Sequence, residues 1–274
     1  MRIARFTLPG GDPTFGVVEL ESDDGQFPNT VAAISADPLA SPVHYTGARH
    51  DLDAVRLLAP VIPRSKIVAM GRNWVEHVRE MGGDMPTTPT VFIKPNTSVI
   101  GPDDAIIKPV ECHHLSYEGE LAIVIGRMCR RVPAEKAAQV IFGYTCANDV
   151  TARDLQAVED QWTRAKGFDT FCPLGPWIVA HLGVAEASDL SIVTSVDGQV
   201  RQDDTTANMV TSIAEIVAFA SSFTTLLPGD VLLTGTPPGV GRMEPGQTVT
   251  VEIDGIGTLS NPVVGEEPGE EPAS

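Results

Sequence analysis

The chain has 274 residues, 36 acidic against 19 basic, giving a formal net charge of −17, and 42% of its residues are hydrophobic. That length buries one substantial core with room for a small additional domain. So negative a field is a poor partner for nucleic acid or an anionic membrane, and no apolar run approaches the roughly 20 residues that cross a bilayer.

The N-terminus, Met1-Arg2-Ile3-Ala4-Arg5-Phe6, has neither an apolar h-region nor a small-residue cleavage site, which reads as a cytoplasmic protein. Residues 1–58 read as a small β-rich N-terminal domain, with strands alternating around turn signals at Gly10-Gly11-Asp12-Pro13 and Ser22-Asp23-Asp24-Gly25. The Pro-rich link over 59–64 is stiff and extended, and the main domain, 59–264, enters through a strand over 66–70. After Gly71-Arg72-Asn73, the stretch from Trp74 to Met81 has the length of two helical turns before Gly82-Gly83 breaks it. His77 and Glu80 then share a face. A carboxylate at one imidazole nitrogen makes the ring a better base and leaves the other nitrogen to take a proton from water. The alternative is a solvated histidine in a helix ion pair.

Glu118 and Glu120 stand two apart at the mouth of the apolar run Leu121-Ala122-Ile123-Val124-Ile125. Residues two apart on a strand share a face, so both carboxylates point beside Ala122 and Val124. Two like charges in an interior need a proton or a cation between them, and a hard divalent ion takes carboxylate oxygens readily. The alternative is an edge strand showing both to water. Asp149 ends another apolar stretch, Ile141 to Asn148; by itself it reads equally well as a helix N-cap. His113 and His114, just upstream, read as loop residues, and Lys166 in isolation reads as a surface lysine.

A helix is expected from Pro133 to Ile141 and a clearer one from Ser212 to Leu227. In the latter Ser212 and Glu215 make a capping box, Ile213, Ile216, Val217, Ala220 and Phe223 share a face, and Pro228-Gly229 is the stop. Thr234 to Gly241 is a Gly/Thr/Pro loop whose hydroxyls and N–H groups suit a carboxylate. It lacks the Gly-Lys-Ser/Thr ending of a nucleotide phosphate loop. Residues 265–274 read as an acidic disordered tail. Cys112, Cys129, Cys146 and Cys172 make no CxxC pair and read as reduced core thiols. No fixed-period repeat is present, and many short strands with few helices predict a mixed α/β, strand-dominated fold.

Several of these segments together resemble the fumarylacetoacetate hydrolase family over about residues 66–262. They are Gly71-Arg72-Asn73-Trp74 with His77-Val78-Arg79-Glu80-Met81-Gly82, Val91-Phe92-Ile93-Lys94-Pro95, Tyr117-Glu118-Gly119-Glu120-Leu121, and Asn148-Asp149-Val150-Thr151-Ala152-Arg153-Asp154-Leu155-Gln156. Gln161 to Thr170 and Leu227 to Gly241 complete the set. Such a series in this order is specific. Trp74 departs from the tyrosine usual in the family and is expected to alter the pocket wall.

The resemblance implies a β-sandwich or roll core, a homodimer, and a metal ion on Glu118, Glu120 and Asp149. That ion is Mg2+, with Mn2+ or Ca2+ able to substitute. It implies His77 and Glu80 as a catalytic dyad, on a segment that Gly82-Gly83 suits to a hinged lid, and Lys166 as the cation that stabilises a developing enolate. Arg153, Gln156 and Thr236 would hold a small anionic 2-oxo acid. The implied function is hydrolysis or decarboxylation of acylpyruvate, fumarylpyruvate or oxaloacetate-type substrates through a metal-stabilised enolate. The alternative is isomerisation of a 2-hydroxymuconate or 2-hydroxyhepta-2,4-diene-1,7-dioate type diacid. The dyad favours the first, since reprotonating an enolate needs no water-activating base. A metal-binding protein without chemistry would lack the dyad or the lysine, and both are present.

Overall fold

The computed structural model describes residues 1–21 and 28–267, so the expected turn at Ser22-Asp23-Asp24-Gly25 and the end of the acidic tail lie outside the described residues. Apolar, β-branched runs pair into a twelve-stranded sheet, as strand-dominated patterning requires. One of its inner strands, Gly119–Ile125, is central to the site and is flanked antiparallel by Ile141–Asn148 and Val231–Leu233. The N-terminal meander Arg2–Thr7, Thr14–Glu19, Thr30–Ile34 and Tyr45–Asp51 continues this sheet, because Arg2–Thr7 pairs with Cys172–Val179. A second, five-stranded sheet contains Gln199–Thr205, Ser191–Val196, Thr248–Ile253, Gly257–Gly265 and Ile106–Lys108.

The period of two in Gly119–Ile125 decides what each face meets. Leu121, Ile123 and Ile125 join a core with the helix Ile213–Phe223 and the second sheet, whereas Ala122 and Val124 join Ile67, Ala69, Val231 and Leu233 on the other face. Burying that much apolar area on both faces stabilises the fold at roughly 25 cal/mol per Å2. The central strand is therefore rigid, and whatever it carries at its mouth is held firmly.

Three expectations about the elements change. The helix expected over 133–141 is a 3-10 stretch, Ala134–Gln139, and Ile141 already begins a strand. The long helix ends at Phe223, not Leu227: Thr224 is extended, and Leu226 exchanges backbone hydrogen bonds with Cys129. Phe223 is 46% exposed, so the buried face consists of Ile213, Ile216, Val217, Ala220 and Ser221. Gly265 is the last residue of a strand rather than the first of a tail, and the Glu266 N–H donates to the Lys108 carbonyl. Among the described residues, no helix is long and apolar enough to cross a membrane.

Candidate active site

Glu118 precedes the central strand and Glu120 lies within it, so both carboxylates occupy the face of Ala122 and Val124, at the strand's mouth. Both are buried, which excludes the edge-strand alternative. The intervening Gly119 is required by space: a side chain there would strike Thr194 Oγ1 and Val251 of the second sheet. Asp149 follows the neighbouring strand Ile141–Asn148, and its N–H donates to the Glu118 carbonyl (2.8 Å). It is no helix cap, since Ala152 caps the helix Arg153–Val158. Ligand oxygens of Glu118, Glu120 and Asp149 lie within 4.8 Å of one another.

Basic residues from distant segments surround this triad. Lys166, at 2% exposure, donates from Nζ to Glu118 Oε2 (2.6 Å) and Asp149 Oδ2 (2.7 Å), and stands 5.1 Å from the centre of the Phe92 ring. It belongs to a short helix, Thr163–Gly167, and not to a surface loop. Arg153 donates from Nη2 to Glu118 Oε1 (2.5 Å) and from Nη1 to Gln156 Oε1 (2.7 Å). Lys94 donates from Nζ to Asp149 Oδ1 (2.5 Å) and to the Val150 carbonyl (3.3 Å). Lys94 lies in the motif Val91-Phe92-Ile93-Lys94-Pro95, which by itself assigns it no role. The available signal was a lysine closing an apolar strand just before proline.

Charge balance divides the carboxylates. Burial alone would raise the pKa of Glu118, but Lys166, then Arg153 and His77, hold it well below the usual carboxylate range. Burial works against the Lys166 ammonium, yet Asp149 and Glu118 raise its pKa above the ordinary lysine value. Among the described residues Glu120 has no cation within ion-pair distance, and Lys166 acts on it only from farther off. Burial first, then Asp149 and Glu118, push its pKa well above the usual range, and one oxygen is held by the Gly235 N–H (2.7 Å). Three buried carboxylates with an all-oxygen donor set, one of them short of positive charge, fit a hard divalent ion.

The helix Val75–Glu80 turns His77 and Val78 inward over the same cleft, with His77 Nδ1 3.3 Å from Glu80 Oε2. The Glu80 carboxylate also accepts the Gly239 N–H (3.1 Å to each oxygen). Gly239 has φ +97°, and the Arg201 carbonyl occupies the space a side chain would need. The cleft measures about 350 Å3 and includes Phe92, Trp162 and Gln156 in its walls.

One expectation needs correction. Trp74 does not line the cleft; it is buried, and its ring packs behind Gly235. Thr236 does line it, but its hydroxyl is already committed, donating to the Gly119 carbonyl (2.9 Å) and accepting from Gln202 Nε2 (2.7 Å). His113 and His114 contribute backbone carbonyls to Arg242 and Arg153 and lie outside the cleft. Gln202 was missed altogether: it lies in the polar strand Gln199–Thr205, where nothing local marks it.

Residues 66–264 match the family model "Fumarylacetoacetate (FAA) hydrolase C-terminal". The chain belongs to the fumarylacetoacetate hydrolase family. Residues 1–60 match a second model, "Rv2993c-like, N-terminal". Protein Rv2993c of Mycobacterium tuberculosis is 49% identical over 268 residues, spanning 96% of this chain and 98% of that protein. The structure of a 5-carboxymethyl-2-hydroxymuconate delta-isomerase from Mycobacterium smegmatis is similar with a TM-score of 0.87 and 47% identity, covering 97% of this chain and all of that one. A maleylpyruvate hydrolase from Sphingobium sp. SYK-6, in complex with manganese(II) and pyruvate, matches with a TM-score of 0.79 and 32% identity over the same shares. Fumarylacetoacetate hydrolase family relatives thus include both isomerases and hydrolases.

Proposed function

We propose that this chain is a divalent-metal-dependent enzyme that acts on a small 2-oxo dicarboxylate or β-dicarbonyl acid through its enolate, with C–C hydrolysis or decarboxylation as the outcome. The observation that supports it is the His77 imidazole, which lines the same cleft as three converging carboxylates and has Glu80 at its Nδ1. Glu118, Glu120 and Asp149 would hold the ion, Mg2+ in this reading, which would supply Lewis acidity to a 2-oxo acid.

The chain's own groups divide the remaining work. Lys94, Lys166 and Arg153 balance the three carboxylates, so a divalent ion leaves the site positive by two charges and suited to a dianion. Arg153, braced by Gln156, holds a carboxylate of the substrate. Lys166 stabilises the charge that develops on the enolate oxygen. Glu80 orients the imidazole at Nδ1, and His77 takes a proton through Nε2 from water. That water adds to the carbonyl two carbons from the keto carbon, the C–C bond between them breaks, and the imidazolium returns its proton to the enolate carbon, leaving pyruvate and a carboxylic acid. With oxaloacetate no water adds: the bond to the distal carboxylate breaks, CO2 leaves, and a proton drawn from solvent through His77 reaches the enolate carbon.

The 47% identity with an isomerase over nearly the whole chain supports a second reading, in which the enolate is reprotonated elsewhere on a diacid. Pyruvate release from oxaloacetate, acetylpyruvate and fumarylpyruvate, with and without Mg2+, separates the two when run beside absorbance of a 2-hydroxymuconate-type diacid. Metal-dependent pyruvate release is expected. Turnover of the diacid alone would favour isomerisation, and inertness toward all four with Mg2+ present would sink both readings.

A further inference from the structure

We infer that Gln202 is a positioning residue that holds the Glu118-Gly119-Glu120 segment in metal-binding geometry; the inference rests on the metal site proposed above. Gln202 is 1% exposed and comes from the second sheet, 83 positions from Gly119 in the chain. Its Oε1 accepts the Gly119 N–H (3.0 Å), and its Nε2 donates to Thr236 Oγ1 (2.7 Å) and to the Pro237 carbonyl (2.8 Å). Thr236 Oγ1 in turn donates to the Gly119 carbonyl (2.9 Å). A backbone N–H can only donate and a carbonyl can only accept, so these partners fix the orientation of the amide without ambiguity.

The result is a closed ring: the Gly119 N–H to Gln202, Gln202 to Thr236, and Thr236 back to the Gly119 carbonyl. Both polar groups of the one residue between the two carboxylates are thereby tied, and tied to the loop whose Gly235 N–H holds Glu120. Gly119 has no side chain to pack, so hydrogen bonds must set its backbone. A shift of that backbone would displace Glu118 and Glu120 together. The same strand reaches the dyad as well: the Arg201 carbonyl, one residue earlier, abuts Gly239, whose N–H holds Glu80. Groups that orient metal ligands from behind typically govern affinity by about 10–100-fold.

The test is calorimetric Mn2+ titration of the full chain, with Mn2+ electron paramagnetic resonance and thermal melts on the same samples. Gln202→Met keeps the bulk and removes all three hydrogen bonds; Gln202→Glu keeps an acceptor for the Gly119 N–H and loses both donors. Both should bind Mn2+ about 10–100-fold more weakly, with an altered resonance, and the Glu variant should retain more affinity. Thr236→Val, which opens the ring at another point, should weaken binding too, and its combination with Gln202→Met should cost less than the two separate effects together. If Gln202→Met does not fold, Gln202→Glu and Thr236→Val decide the matter. A lowered melting temperature with wild-type Mn2+ affinity and resonance would make Gln202 purely structural and overturn the inference. Absence of Mn2+ binding by the wild-type chain would instead overturn the metal site itself.

Discussion

Removing the His77 imidazole and removing the charge of Asp149 should break different things. His77→Ala should keep Mg2+ affinity and cut kcat by about 10²–10⁴, the usual contribution of a positioned general base. Asp149→Asn should weaken Mg2+ binding and activity together, and it is preferable to Ala because Lys94 and Lys166 are buried against that side chain. Glu80→Gln should fall between, since it misorients the ring without deleting it. Mg2+ calorimetry beside steady-state rates checks all three, and normal turnover by His77→Ala would reduce the dyad to a structural role. The Glu118/Glu120 pair was legible because carboxylates at i and i+2 on an apolar strand face one way, and the His77/Glu80 contact because i and i+3 meet on a helix; Asp149 as a third ligand, and the dyad's role, came only from the family resemblance. Lys94 and Gln202 were not legible. Their partners are 55 and 83 residues away, and neither the local periodicity nor the local composition carries that information.

Start signals of elements were easier to read than stop signals. The Ser212/Glu215 capping box is present as expected, with the Glu215 carboxylate accepting from the Ser212 N–H (2.9 Å) and hydroxyl (2.7 Å). The far end is decided by a tertiary contact, the pairing of Leu226 with Cys129, which ends the helix before its proline is reached. Ser212→Ala should therefore cost about 1 kcal/mol of stability in thermal or denaturant melts, with the site unaffected. The Ser212 hydroxyl, then its N–H, hold the Glu215 pKa below its ordinary value. A depressed carboxylate stabilises the fold fully above its unfolded pKa and loses that contribution as pH falls through the folded one. The advantage of wild type over Glu215→Gln should accordingly be complete at neutral pH and vanish in acid. A pH-independent difference between the two melting curves would contradict this.

At the scale of the whole molecule, a chain of net charge −17 repels small anions, so a local group of cations must offset that field, and Lys94, Lys166 and Arg153 do so at the cleft. Substrates with a free carboxylate beside a keto or enol group should turn over, and the corresponding methyl esters should fail. Equal kcat/KM for acid and ester would count against carboxylate recognition. The broad sheet explains how the site is built: strands far apart in sequence deliver Glu120, Lys94 and Gln202 to one region, and the buried faces keep them there. The family resemblance brought Glu118, Glu120, Asp149 and Lys166 together in advance; Lys94 and Gln202 are delivered by the fold and by no single segment. The most direct test of metal-dependent enolate formation is solvent deuterium exchange, followed by NMR, at the carbon beside the keto group of the best substrate. Exchange faster than with Mg2+ alone is expected from the Mg2+-loaded protein, falling to background after exhaustive chelation. Acceleration that survived chelation undiminished, or no acceleration by the loaded protein, would contradict it.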